Sequence, residues 1–273
     1  MGKRASAPTR DATPPTTTKK PLGVKDLSKF KGRRFGVDES KCTMFIRQWR
    51  WKREMKSDRE RFEEAYEYPS NAMTTQISLK QRKYSTKTSV HGFASTVWDS
   101  SIVLAKYVER TLGGASSSSV KTALELGSGC GLVSCVLSRI CQIPTVVATD
   151  LEHNLDLLRE NLERNAPSAS CAALEWGKDA ALGNVKFDLV VASDVVYVEE
   201  AMPALVETLK RFCTPKHTRV VFAYGRNRQA LETFLKLSRD AGFSSPRSIS
   251  KTTECDELWT CTDVDLIELE LER

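Results

Sequence analysis

A chain of 273 residues, 40% apolar and 28% charged, has the length and composition of one globular α/β domain with an extension, and two large domains would not fit. No run approaches the ~18 apolar residues that cross a bilayer, and the first residues lack an apolar signal-like stretch, so an intracellular, soluble protein is expected. The net charge of +6 hides two halves: residues 1–90 hold 22 Lys+Arg against 10 Asp+Glu, and residues 91–273 hold 19 against 25. A basic arm on an acidic domain suits a nucleic acid, an acidic partner, or a solvated tail that keeps the protein soluble.

Residues 1–40, with Ala12-Thr13-Pro14-Pro15-Thr16-Thr17-Thr18-Lys19-Lys20, hold too few large apolar groups to offset the entropy of ordering and are expected to be a disordered basic arm. Met1-Gly2-Lys3-Arg4-Ala5-Ser6 matches a myristoylation pattern. Lys19-Lys20 with Lys29 to Arg34 has the form of a nuclear address, so the expected location is the cytoplasm, with the nucleus as an alternative. Residues 41–89 form an extension. Within it Met44 to Tyr68 is rich in helix formers with charge pairs four apart and reads as one amphipathic helix stopped by Pro69, its basic face carrying Lys52 and Lys56. Residues 74–93 alternate polar and apolar, which predicts a short hairpin or edge strands.

From residue 90 to 273 the pattern predicts a single domain of alternating strands and helices. Asp99 is the expected cap of a helix to about Thr111. Strands are predicted at Thr122–Leu126, Thr145–Thr149, Cys171–Leu174, Phe187–Ala192, Arg219–Ala223, Ser244–Ser250 and Trp259–Leu271. Helices are predicted near 130–140, 152–165, 199–213 and 227–241. Strands separated by helices imply parallel βαβ units with a ligand at the strands' carboxyl ends, and the last two strands, with no helix between them, should pair antiparallel. The fold class is thus α/β: a Rossmann-like seven-stranded sheet ending in an antiparallel hairpin, preceded by a basic, partly disordered extension.

The eight cysteines, Cys42, Cys130, Cys135, Cys141, Cys171, Cys213, Cys255 and Cys261, contain no Cys-x-x-Cys pair, and His91, His153 and His217 are scattered. Several cysteines sit in apolar runs, so they read as reduced core residues, with neither a metal nor a disulfide framework.

Glu125-Leu126-Gly127-Ser128-Gly129-Cys130-Gly131 follows an apolar strand and opens a helix, where glycines permit a tight turn and a close backbone approach to a ligand. Asp150, at the tip of the next strand, can accept ribose hydroxyls. A nicotinamide enzyme would use both features, so at this stage the cofactor stays open. Three further features favour a cationic cofactor. Asp194 closes an apolar strand and should face the cleft, where a carboxylate suits a cation and an incoming amine better than a diphosphate. Tyr197 should reach the same opening, and Trp176 and Trp98 stand where they can flank an adenine ring and cover the cofactor. The structural alternatives make Asp194 a helix cap and Tyr197 and both tryptophans packing residues.

The blocks Val97-Trp98-Asp99-Ser100-Ser101, Glu125 to Leu132, Asp150, Glu175-Trp176-Gly177 and Asp194-Val195-Val196-Tyr197 resemble methyltransferase family 16, the seven-strand protein-lysine methyltransferases, over residues 90–273. The resemblance implies a seven-stranded methyltransferase fold and transfer of methyl groups from S-adenosyl-L-methionine to a lysine ε-amine. It implies that Trp98, Gly127, Ser128, Gly129, Asp150, Trp176 and Ser193 bind the cofactor, and that Asp194 and Tyr197 are the catalytic pair at the lysine site. Relatives often carry Ala where this chain has Ser193. The resemblance further implies a protein substrate, such as a chaperone or translation factor, rather than nucleic acid, and a monomeric enzyme without a metal. The alternatives are a methyltransferase acting on nucleic acid or a small molecule, and an inactive binding module. Val195-Val196 stands where the amino-base methyltransferases carry two prolines, which argues against the first alternative.

Overall fold

The computed structural model describes residues 65–68, 76–82, 92–113, 119–178, 182–225, 229–250 and 264–273. The basic arm and most of the helix expected over 44–68 lie outside them. The end of that helix is corrected: Tyr66–Tyr68 is a strand, β1, paired antiparallel with β2, Ile77–Leu79, in the register Tyr66 to Leu79. Tyr-Glu-Tyr alternates buried and exposed side chains and carries two aromatics that favour strands, so local pattern overrides the upstream helical composition. The predicted hairpin exists but begins earlier than residue 74, and Gly92–Ser95 forms a 3-10 turn rather than a strand.

Seven further strands make the main sheet: β3 (Thr122–Leu126), β4 (Thr145–Asp150), β5 (Ser170–Ala173), β6 (Leu189–Ser193), β7 (Arg219–Gly225), β8 (Arg247–Ser248) and β9 (Val264–Glu270). Their order is β5-β4-β3-β6-β7-β9-β8. The pairs from β5 to β7 are parallel, while β9 enters antiparallel between β7 and β8. The expected terminal hairpin is therefore present, with its second strand on the inside.

The helices are α1 (Asp99–Leu112), α2 (Leu132–Cys135, continued by a π-helical stretch Val136–Ile140), α3 (Leu155–Asn165), α4 (Met202–Phe212) and α5 (Leu231–Asp240). Trp98, not Asp99, occupies the cap position of α1, and it makes no side-chain cap bond. Asp99 is the first helical residue, where its charge meets the positive end of the helix dipole.

Strand side chains alternate between two cores. Ala123, Leu189, Val191 and Val221 face a core shared with α1, α2 and α3. Leu124, Val190, Ala192, Val220 and Phe222 face a second core under α4 and α5. Near-continuous apolar strands buried on both faces are what a parallel sheet requires. Cys130, Cys135, Cys141 and Cys213 are buried, and no disulfide joins the described cysteines. Burial pushes the Cys141 and Cys213 thiols up to about 12, so they remain protonated packing groups.

The hairpin β1–β2 is fastened by side chains standing in for strand backbone. On α3, Asn165 accepts from the Ser78 N–H (2.9 Å) and donates to the Ser78 carbonyl (2.9 Å). One turn earlier Asn161 does the same for Lys80, at 2.8 and 3.0 Å. The second amide proton of Asn161 reaches the Cys130 carbonyl at 3.0 Å, which ties the hairpin to the glycine loop. On the α1 side the Tyr68 hydroxyl donates to Glu109 Oε2 (2.8 Å), to which buried Lys106 is also paired (3.0 Å).

Candidate active site

The chain leaves β3 toward β4 and β5 on one flank and returns to β6 on the other, so the carboxyl ends of these four strands stand side by side at a switch point. A crevice opens at such a point because neighbouring loops turn in opposite directions. The glycine loop follows β3, Asp150 ends β4, Trp176 follows β5, and Ser193 ends β6 ahead of Asp194 and Tyr197. One rim therefore collects residues spread from Gly127 to Tyr197 in sequence.

The glycines are required where they stand. Gly127, Gly129 and Gly131 have φ of +66°, +53° and +83°, in the left-handed region that penalises a Cβ. A Cβ on Gly127 would lie 3.0 Å from Val195 Cγ1 and 3.7 Å from Trp176 Cζ2, so this bare backbone is where the β5 and β6 loops converge on the β3 turn. A Cβ on Gly129 would stand 3.1 Å from the Ala94 carbonyl, which brings the turn before Trp98 over the same loop.

The loop is braced from below. Ser128 donates its N–H to the Thr149 carbonyl (2.9 Å), and its hydroxyl accepts from the Thr149 N–H (3.1 Å) while facing the Glu125 carbonyl (3.3 Å). The Ser128 hydroxyl and both of its backbone polar groups thus have partners within the scaffold, the carbonyl accepting from the Gly131 N–H at 2.8 Å. Asp150 Oδ2 accepts from the Gly129 N–H at 2.8 Å, and Oδ1 accepts from the Leu151 N–H (2.8 Å) and Asn154 Nδ2 (2.7 Å). A carboxylate offers about four acceptor directions, so three are filled and about one is left for a ligand hydroxyl.

Glu125, only 1% exposed, lies beneath the loop. Its Oε2 accepts from the Ser134 N–H (2.9 Å) and hydroxyl (2.5 Å) at the start of α2. Burial pushes its carboxyl up to about 7, although the Ser134 bonds pull the other way.

Beyond the loop the rim changes character. Asp194 sits at φ +60°, held by its N–H to the Ala223 carbonyl at 2.8 Å. Aspartate is among the few side chains that tolerate this conformation, and such strain persists where neighbouring structure enforces it. The 3-10 turn Glu199–Ala201 and α4 begin well after it, so Asp194 is not a helix cap. Tyr197 lies in a turn, and it is 45% exposed. Trp176 is half-buried, and Gly177 anchors its turn by donating to Thr208 Oγ1 at 2.9 Å. Trp98 donates its indole N–H to the Phe93 carbonyl at 2.9 Å, leaving the ring itself for contact. Gln81 fixes the approach to Trp98, accepting from the Thr96 hydroxyl (3.0 Å) and the Val97 N–H (2.9 Å).

The sequence reading missed Phe93, Gln81, Asn154, Asn161 and Asn165. A signal existed for the last two: asparagines four apart on the Leu155, Leu158, Leu162 stripe of α3 are polar groups on a buried face and must find partners. Gln81 and Phe93 carry no local signal, since their importance arises from contacts across the fold.

A family model described as lysine methyltransferase matches residues 78–240. The chain is 34% identical to EEF1A lysine methyltransferase 3 of Mus musculus over 152 residues, 53% of this chain and 62% of that protein. It is 34% identical to Protein N-lysine methyltransferase METTL21A of Mus musculus over 129 residues, 45% and 57% of the two. The match thus spans less than two thirds of those relatives' own length. Among solved structures, the T. thermophilus 16S rRNA N2 G1207 methyltransferase (RsmC) in complex with AdoMet and guanosine superposes with a TM-score of 0.52 at 16% identity, covering 77% of this chain and 50% of that one, a likeness of fold.

Proposed function

Since the chain belongs to the lysine methyltransferase family, we propose that it transfers methyl groups from S-adenosylmethionine to a lysine ε-amine of a protein. The observation that carries this reading is the convergence on Gly127 of the Trp176 and Val195 loops, which sets the nucleotide-binding turn beside Asp194. The residues present fit the cofactor: a left-handed glycine turn for close backbone approach, a carboxylate at the neighbouring strand tip, and aromatic rings on both flanks. Gly127, Gly129, Asp150, Trp98, Trp176 and the Ser193 backbone would hold it.

Bound there, S-adenosylmethionine would supply an electrophilic methyl group to the amine lone pair, with a neutral thioether as the leaving group. The protein's contribution is alignment and electrostatics. A lysine ammonium of pKa ~10.4 has to release a proton before it can attack, and Asp194 would orient the amine and favour that release. Tyr197 lines the entry.

For the acceptor we put first a lysine of a translation factor, because the relative just described is named for EEF1A. Incubation with labelled cofactor, recombinant EEF1A and a whole lysate, followed by nuclease or protease and then acid hydrolysis, tests the reading. Label recovered as methyl-lysine supports it, and label released by nuclease overturns it.

A further inference from the structure

Phe93 belongs to none of the motifs that carry the family resemblance, yet it stands at the mouth of the site. Its ring meets that of Trp98 at a centroid distance of 6.0 Å and 59°, and that of Tyr197 at 6.1 Å and 76°. It therefore joins two residues that sequence places on opposite sides of the crevice. It is also 43% exposed, and with Tyr197 (45%) and Val198 (40%) it supplies three of the five exposed large hydrophobics among the described residues. Large apolar side chains gathered at an active-site rim, rather than scattered, mark a surface that a ligand covers. Asp194 and the acidic pair Glu199-Glu200 lie in the same stretch of chain, so the aromatic surface is set beside negative charge.

An aromatic face beside a carboxylate selects a long apolar stem ending in a cation. It also grades the lysine methylation states, because each methyl group lowers the cost of stripping water from the ammonium while preserving its attraction to ring faces. We propose that Phe93 and Tyr197 form the acceptor-lysine mouth of this enzyme and that Phe93 is a specificity-determining residue: it retains the mono- and dimethylated lysine for further rounds of transfer. This deepens the lysine-methyltransferase reading above and rests on it.

The test uses the full chain with Phe93→Ala and Phe93→Trp. Substitution at this exposed position leaves the Phe93 carbonyl that accepts from Trp98 in place. Calorimetry measures affinity for S-adenosylmethionine, and titration followed by NMR measures affinity for Nα-acetyl-Nε-trimethyl-lysine against Nα-acetyl-lysine. Acid hydrolysis of lysate protein labelled by each variant gives the mono-, di- and trimethyl-lysine fractions. The expected result is cofactor affinity within about twofold, trimethyl-lysine binding weakened roughly three- to thirtyfold in Phe93→Ala, products shifted toward monomethyl-lysine, and recovery of both in Phe93→Trp. Equal trimethyl-lysine affinity and an unchanged product ratio in Phe93→Ala would overturn the proposal. Absence of any methyl-lysine from the wild-type enzyme, with aromatic-dependent trimethyl-lysine binding intact, would instead overturn the reaction assigned above.

Discussion

The two flanks of the crevice are built on opposite plans. On the β3–β4 flank the polar groups of the glycine loop are matched inside the protein: Ser128 to Thr149, Glu125 to Ser134, Asp150 to Gly129, Leu151 and Asn154, and Asn161 to the hairpin. On the β6 flank the chain turns through a left-handed aspartate and presents Tyr197 and Val198 outward, opposite an equally exposed Phe93. On the proposed function this contrast assigns the two flanks different tasks: the hydrogen-bonded flank would seat the small cofactor, and the exposed flank would meet the protein substrate.

The comparison can be broken at its most active point. Asp194→Asn keeps a side chain that accepts φ +60° but removes the charge, so methyl transfer is expected to fall by about 10² to 10⁴ while cofactor affinity holds within about twofold. Paired kinetics and calorimetry check this, and a matching loss of both quantities would mean that the flanks do not divide as described.

The rigid flank has its own signature in pH. The Glu125 carboxyl rises from 4.5 to about 7 in the folded protein, so the folded state keeps its proton after the unfolded state has lost it. The stabilising contribution is therefore complete below about pH 4.5 and is lost as pH rises through about 7, a change of about 3 kcal/mol. Glu125→Gln, whose amide oxygen can still accept from Ser134, should flatten that part of the stability profile in denaturant titrations between pH 5 and 8. An unaltered slope would place the pH dependence elsewhere.

Two smaller effects sharpen the same contrast. Asn161→Ala strips partners from the Lys80 backbone and the Cys130 carbonyl, and should cost about 1–3 kcal/mol in denaturant titrations and weaken the cofactor more than the acceptor. Gly129→Ala forces a Cβ to within 3.1 Å of the Ala94 carbonyl at a left-handed φ, and about 1–2 kcal/mol of stability should be lost. The shift this forces between the glycine loop and the turn before Trp98 is expected to lower cofactor affinity by about tenfold in calorimetry.

The sheet was legible because its signals are local and repeated. The apolar runs at Leu124, Val190 and Val221, punctuated by glycines and helical stretches, imply parallel βαβ units but not the strand order, and Asp150 and Asp194 fall at strand tips as the spacing requires. The end of the helix expected over 44–68 departs from expectation for the complementary reason: upstream composition was helical, but Tyr68 is claimed by Glu109 on a helix some forty residues away. Sequence locates Ser128 in the glycine loop but not the direction its hydroxyl faces, which is toward Thr149 and Glu125. Phe93 was invisible because only tertiary packing sets it between Trp98 and Tyr197.

The division of the crevice into a cofactor seat and an acceptor mouth is tested most directly by titrating wild-type and Asp194→Asn protein with S-adenosylmethionine and then assaying both for methyl-lysine formed in lysate protein. The expected result is equal binding by the two and methyl-lysine from the wild type alone. Equal methyl-lysine from both, or no cofactor binding by the wild type, would contradict it.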